Sequence, residues 1–209
     1  LITRLSGPAP AEETGGSIAP RSHADPLRGP IEDANYSGKG YTVGIVCARQ
    51  NPEICGKLLV NAKSTLKAAG ASVIVESVSG AYELPLAARM MVNQCDAVIA
   101  IGCLVKGETM HFECVAEAVT HGIVRINLDT NKPCIHGLLT VLSTGQALAR
   151  LSSGTEWANS CLESLHIVRK YRKYAEKEKR GLMVSAADLK REFGEDFLKK
   201  KFVWQERSH

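Results

Sequence analysis

Residues 97–113 read Ala97-Val98-Ile99-Ala100-Ile101-Gly102-Cys103-Leu104-Val105-Lys106-Gly107-Glu108-Thr109-Met110-His111-Phe112-Glu113. The first five form an unbroken apolar run. A strand that does not alternate with polar residues has both faces buried, as in a parallel sheet flanked by helices. A loop from Gly102 follows, and a helix starts near Thr109. The same strand, loop, helix order recurs on either side. Thr42 to Cys47 is a short apolar strand. Asn51-Pro52 then supplies an N-cap followed by Pro at the first helical position. Ile54, Leu58, Leu59, Ala62, Leu66 and Ala69 recur at helical spacing up to Gly70, a helix-terminating residue. Ser72 to Val78 is a further strand, and Glu83 to Asn93 a helix with Pro85 in its first turn.

After the central stretch, Gly122 to Leu128 fits either an alternating strand or the continuation of the Thr109 helix. Pro133 to Val141 is a strand and Gln146 to Leu151 a short helix. From Thr155 a long helix runs through Leu162, Leu165 and Val168 into Arg169-Lys170-Tyr171-Arg172-Lys173, with Gly181 as its expected break. Ala186 to Leu198 is a short amphipathic helix. Strands alternating with helices predict an α/β fold with a parallel sheet covered on both faces.

Composition divides the 209 residues into three zones. Residues 1–40 hold five of the eight prolines and no helical or strand period, which suits an extended N-terminal arm. That arm is neither amphipathic nor Arg-rich, so it does not read as a transit peptide. Residues 41–168 form the globular zone. Residues 169–209 are a basic, aromatic helical extension, and its charge accounts for the whole net of +4. Its Tyr171, Tyr174, Phe193, Phe197, Phe202 and Trp204 suit protein packing, because Phe193 and Phe197 are spaced i, i+4; a nucleic-acid surface is the less favoured alternative. No run reaches the ~20 apolar residues of a membrane span. The seven cysteines lack paired CxxC spacing, which argues against zinc and for buried thiols in an intracellular reducing compartment, cytoplasm or organelle.

In a parallel α/β sheet, ligands bind at the carboxyl ends of the strands. Three loops leave those ends: Ala48-Arg49-Gln50-Asn51, Gly80-Ala81-Tyr82-Glu83-Leu84-Pro85, and Gly102 to Glu113. These segments closely resemble lumazine synthase, a riboflavin-pathway enzyme. Lys106 to Glu113 looks like the fungal-type form of its strongest motif. Gly137-Leu138-Leu139-Thr140-Val141-Leu142, Gln146-Ala147-Leu148 and Arg150 match its later strand and helix without a gap.

The resemblance implies a three-layer, flavodoxin-like, four-stranded parallel sheet, with one helix continuing through Gly122 to about Asp129. It implies homo-oligomers, pentamers or multiples of them, with the site between subunits, and an N-terminal segment before Tyr41 that pairs with a neighbour's sheet. It implies condensation of 5-amino-6-ribitylamino-uracil with 3,4-dihydroxy-2-butanone 4-phosphate, without metal or redox cofactor. His111 would transfer protons, and Arg150 with Lys106, Gly107, Glu108 and Thr109 would hold phosphate. Glu83 would accept ribityl hydroxyls, with Gly80, Ala81 and Tyr82 beside the pyrimidine. Asn51 could contact ligand, although capping duty alone explains it.

Three positions depart from the pattern. Gln50 stands where the family has an aromatic ring that stacks on the heterocycle, an interaction worth ~1–3 kcal/mol in base–aromatic systems. His136 stands where a neighbour's apolar residue covers the ligand. The loop after Arg150 carries Glu156 and no lysine. These departures and the two added ends motivate an alternative expectation: a weakened or inactive member recruited as a structural subunit of a larger assembly.

Overall fold

In the computed structural model, which describes residues 36–179, four strands and five helices alternate. They are β1 (Thr42–Ala48), α1 (Pro52–Ala68), β2 (Ser72–Val78), α2 (Leu84–Met91), β3 (Ala97–Val105), α3 (His111–Thr130), β4 (Cys134–Val141), α4 (Thr144–Leu148) and α5 (Ser153–Lys179). A 3-10 turn, Ala81–Glu83, precedes α2. The sheet order is β2-β1-β3-β4 and every pairing is parallel. The chain is therefore a three-layer, flavodoxin-like α/β fold. Among the described residues no helix is long and apolar enough to cross a membrane.

Alternate residues of the central strands feed two cores. Val43, Ile45, Ile99 and Ile101 pack with Leu58 and Leu66 of α1 and Leu162 and Leu165 of α5. Val46, Val98 and Ala100 pack with Leu84 and Ala88 of α2 and Val119, Ile123 and Ile126 of α3. Burying such side chains stabilises the fold by about 1.5–3 kcal/mol each. Edge strand β2 is different: Ser72, Ile74, Glu76 and Ser77 are exposed, so coverage on both faces holds for the centre of the sheet and not for this edge.

The structure moves several element boundaries and settles one open segment. β3 does not stop at Ile101 but runs to Val105, because β4 pairs with it as far as Val105 opposite Val141. Gly102 is a packing glycine within that strand. A Cβ there would lie 2.8 Å from Leu138 Cδ1 and 3.0 Å from Leu84 Cδ1. The open Gly122 segment is helical, as the resemblance implied, and Gly122 lets α3 close on α2, where a Cβ would meet Pro85 at 2.7 Å. Asn127 then ties α3 to β4: its Nδ2 donates to Cys134 O at 2.9 Å and its Oδ1 accepts from Cys134 N at 2.7 Å. Helix α2 starts at Leu84 and ends at Met91, shorter than the Glu83–Asn93 expectation, because Ala81–Glu83 winds as a 3-10 turn and Gln94 N bonds to Met91 O. α4 spans Thr144–Leu148, started by Ser143, whose Oγ accepts from Gln146 N, and α5 begins two residues before Thr155.

Helix α5 continues without a break through residues 168 and 169. Arg172 on it donates to Asn131 O at 2.8 Å, at the carboxyl end of α3. The expected break at Gly181, the Ala186–Leu198 helix and most of residues 1–40 lie outside the described residues.

Candidate active site

Parallel pairing places the ends of β1, β2 and β3 at one edge. β1 leaves the sheet after Ala48, and Arg49 N still donates to Val78 O at 2.9 Å, holding the β1–α1 loop beside the end of β2. Gln50 follows. Its side-chain amide lies against Gly80: a Cβ on that glycine would sit 3.4 Å from both Cδ and Nε2. Gly80 N donates to Glu83 Oε2 at 2.9 Å, so the 3-10 turn folds the carboxylate back over the same glycine. Gln50, Gly80 and Glu83 thus form one cluster of polar groups, with Ala81 buried beneath it and Tyr82 exposed beside it.

Asn51 does not act as the sequence suggests. It precedes α1 with φ 50 and ψ 58, left-handed, and its side chain makes no capping bond. Nδ2 instead donates to Cys103 O on β3 at 2.9 Å. Three thiols lie under this loop. Cys55 donates to Gln50 O at 3.1 Å, and Cys47 contacts Cys55 O at 3.8 Å. The neighbouring Cys55 thiol holds the Cys47 thiol below its ordinary pKa, while the Cys47 thiol and burial push Cys55 up. Burial also raises Cys103 and pushes Cys134 and Cys161 up to about 12. All seven cysteines are free, and only Cys114 is exposed.

The loop after β3 is open. Gly107, Glu108, Thr109 and His111 are exposed, and a Cβ on Gly107 would meet nothing within 4 Å. His111 is the first residue of α3, and Met110, at the N-cap, has no side chain able to cap. His111 N donates to Thr109 Oγ1 at 3.4 Å, and the N–H groups that follow it in the first turn keep a helix start's capacity for an anion. The Lys106 ammonium is engaged inside the loop, paired with Glu113 and 5.7 Å from the Phe112 ring centroid. The second Glu113 oxygen is buried without a hydrogen-bond partner.

Two candidate residues stand apart from this cluster within one chain. Arg150 is exposed beyond α4, its Nη1 donating to Gln146 O at 3.0 Å. His136 pairs with Ala100 in β4, well short of the carboxyl edge at Val141. Its Nε2 lies 3.1 Å from Thr120 Oγ1. That hydroxyl's one hydrogen goes to Ala116 O at 2.7 Å, so the imidazole is the donor. Burial lowers the His136 pKa. Glu156 lies in the first turn of α5, where the helix dipole favours an acid.

Sequence reasoning placed Gln50, Gly80, Glu83 and the 106–111 loop at one edge from strand order. It missed Asn127, Cys55 and Thr120, whose partners are brought to them by the fold. The only local signal was the Asn itself, since Asn is common where a side chain must bond backbone groups.

The model of the 6,7-dimethyl-8-ribityllumazine synthase family matches residues 40–169. A protein of that name from Pyricularia oryzae is 34% identical over 176 residues, covering 61% of this chain and 88% of its own length. The one from Corynebacterium efficiens is 44% identical over 117 residues, 56% of this chain and 72% of its own. The one from Azoarcus sp. is 37% identical over 143 residues, 66% of this chain and 92% of its own. The matched span runs from the residue before Tyr41 into α5 and so takes in the whole sheet and all three loops; the chain belongs to the 6,7-dimethyl-8-ribityllumazine synthase family.

Proposed function

We propose that the chain is a transferase of riboflavin biosynthesis that condenses 5-amino-6-ribitylamino-uracil with 3,4-dihydroxy-2-butanone 4-phosphate to 6,7-dimethyl-8-ribityllumazine. The observation that carries this reading is the convergence at one sheet edge of the Gln50–Gly80–Glu83 cluster and the open loop bearing His111, in a chain of this family. The amine of the uracil attacks the ketone to give a Schiff base, phosphate leaves, and ring closure follows. Glu83 keeps one carboxylate oxygen for a ribityl hydroxyl while the other holds Gly80 N. Gln50 offers an amide to the edge of the heterocycle in place of a stacking ring. His111 moves protons, and the 107–109 backbone with Arg150 receives the phosphate.

Homo-oligomeric assembly is part of this reading. Leu86 and Met90 on α2 and Val124 and Leu128 on α3 are spaced i, i+4, and all four are more than half exposed. Such a stripe on two packed helices is a surface for another subunit. Assembly would also bring a second chain's His136 or Arg150 toward the cluster that one chain leaves incomplete. An intracellular setting remains part of the proposal through the thiol-rich core. Neither the fold nor the family match favours the recruited structural subunit.

Purified protein incubated with both substrates should form product, followed by lumazine absorbance. His111→Ala should lower kcat by about 10²–10⁴-fold, the usual weight of a general acid–base group. Wild-type protein in its assembled state giving no product above the uncatalysed rate would refute the assignment.

A further inference from the structure

An asparagine before Pro at a helix start ordinarily caps the helix from an extended backbone. Asn51 does neither. It is left-handed, a conformation that Asn tolerates better than most residues, and its side chain reaches β3, 52 residues away in sequence. The need for that bond follows from the register. β1 pairs with β3 only as far as Cys47 opposite Ile101, whereas β3 continues to Val105. Past that point the β1 side of β3 has no strand, and Cys103 O would lack a ladder partner. The Asn51 amide fills the place of the missing backbone N–H at 2.9 Å.

Gln50 lies between this tether and two other bonds. Arg49 N is bound to β2 on one side, and Gln50 O accepts the Cys55 thiol on the other. The loop is thus anchored to β2, β3 and α1, and the Gln50 amide is held against Gly80, the glycine whose N–H also binds the Glu83 carboxylate. Of these anchors, the tether to β3 comes from a side chain of the loop itself and closes the gap left by β1.

We infer that Asn51 is a positioning residue for the pyrimidine substrate: by pinning the β1–α1 loop to Cys103 it fixes Gln50 against Gly80. The inference rests on the activity proposed above. It assigns Asn51 no contact with the reacting atoms.

Asn51→Gly keeps the left-handed backbone and the residue-51 carbonyl that accepts from Ile54 N and Cys55 N, and it removes only the tether. The lost bond is worth about 0.5–1.5 kcal/mol, so KM for 5-amino-6-ribitylamino-uracil should rise up to about tenfold. KM for the butanone phosphate and kcat should stay within about twofold, since neither depends on Gln50. Cys55, 1% exposed in the intact loop, should react faster with a small maleimide. Asn51→Asp keeps the shape and sets a carboxylate against the Cys103 carbonyl; it should reproduce both effects and serves if the glycine variant does not fold. An unchanged pyrimidine KM in a folded variant would overturn the inference. So would equal loss in both KM values and kcat, which marks a general folding defect. If wild-type protein neither binds nor converts the pyrimidine, the proposed activity fails, and the maleimide rate still decides whether Asn51 holds the loop.

Discussion

Helices α1 and α5 cross where Gly154, in the first turn of α5, lies over the backbone of α1. A Cβ at residue 154 would fall 2.3 Å from Leu58 O and 3.1 Å from both Leu58 C and Asn61 Cβ. Ordinary contact begins near 3.4 Å, so Gly154→Ala requires the helices to part by about 1 Å. Leu58 O belongs to the hydrogen-bonded ladder of α1 and cannot rotate away as a side chain would. Parting the helices would also stretch the Asn61 Nδ2 bond to Leu151 O, now 2.9 Å. Overpacking costs about 1–3 kcal/mol, and a rigid backbone target puts this case at the upper end. The better helix propensity of Ala returns at most about 1 kcal/mol. Thus the net loss is about 1–2 kcal/mol, or a Tm lower by roughly 2–8 °C in a domain of this size. Circular dichroism melts at one fixed protein concentration measure it, because the Tm of any self-associating protein depends on concentration. Gly56→Ala is the internal control. It lies within α1, and its Cβ would meet nothing within 4 Å, so the propensity gain stands alone and Tm should hold or rise. If Gly154→Ala melts at or above the wild-type temperature, the close crossing does not exist as described.

Gly80→Ala tests the polar cluster. The backbone is extended there, φ −146, so no strain arises, but the new methyl would sit 3.2 Å from Glu83 Oε2 and 3.4 Å from the Gln50 amide. Both are flexible side-chain ends, so stability should change by less than about 1 kcal/mol while pyrimidine KM rises roughly tenfold, since small misplacements at a site are costly. An unchanged KM in steady-state kinetics would remove Gly80 from the site. His136 supplies a pH signature. Burial lowers its pKa, so below about pH 6.5 the unfolded chain binds this proton more readily than the folded one. Its contribution should be level above about pH 6.5 and turn destabilising as pH falls from there toward the folded-state pKa. His136→Phe should lose that component, so parallel Tm–pH curves for variant and wild type would refute it.

The elements most legible in the sequence were those whose causes are local. Pro52 and the apolar period from Ile54 to Leu66 make α1, and Gly70, at φ +89, stops it. The run from Ala97 to Ile101 made β3, and the order of strands and helices made the sheet parallel, which placed three loops at one edge before any distance was known. Family motifs supplied roles for His111, Glu83 and Arg150 that composition cannot.

What required the tertiary structure shares one physical feature: the partner is remote in sequence. Gly102 looked like a strand end and is a packing site for Leu138 and Leu84. Gly122 stood in a segment that fitted strand or helix, and it is where α3 meets Pro85. Asn51 looked like a cap, and the unequal ends of β1 and β3 make it a tether. The same holds for His136 and Arg150, whose distance from the cluster depends on register and on the β4 edge. Periodicity, caps and charge are properties of neighbours along the chain, so the sequence by itself determined the elements and their order. Which polar group satisfies which depends on strand ends and helix crossings, and only the folded chain decides those.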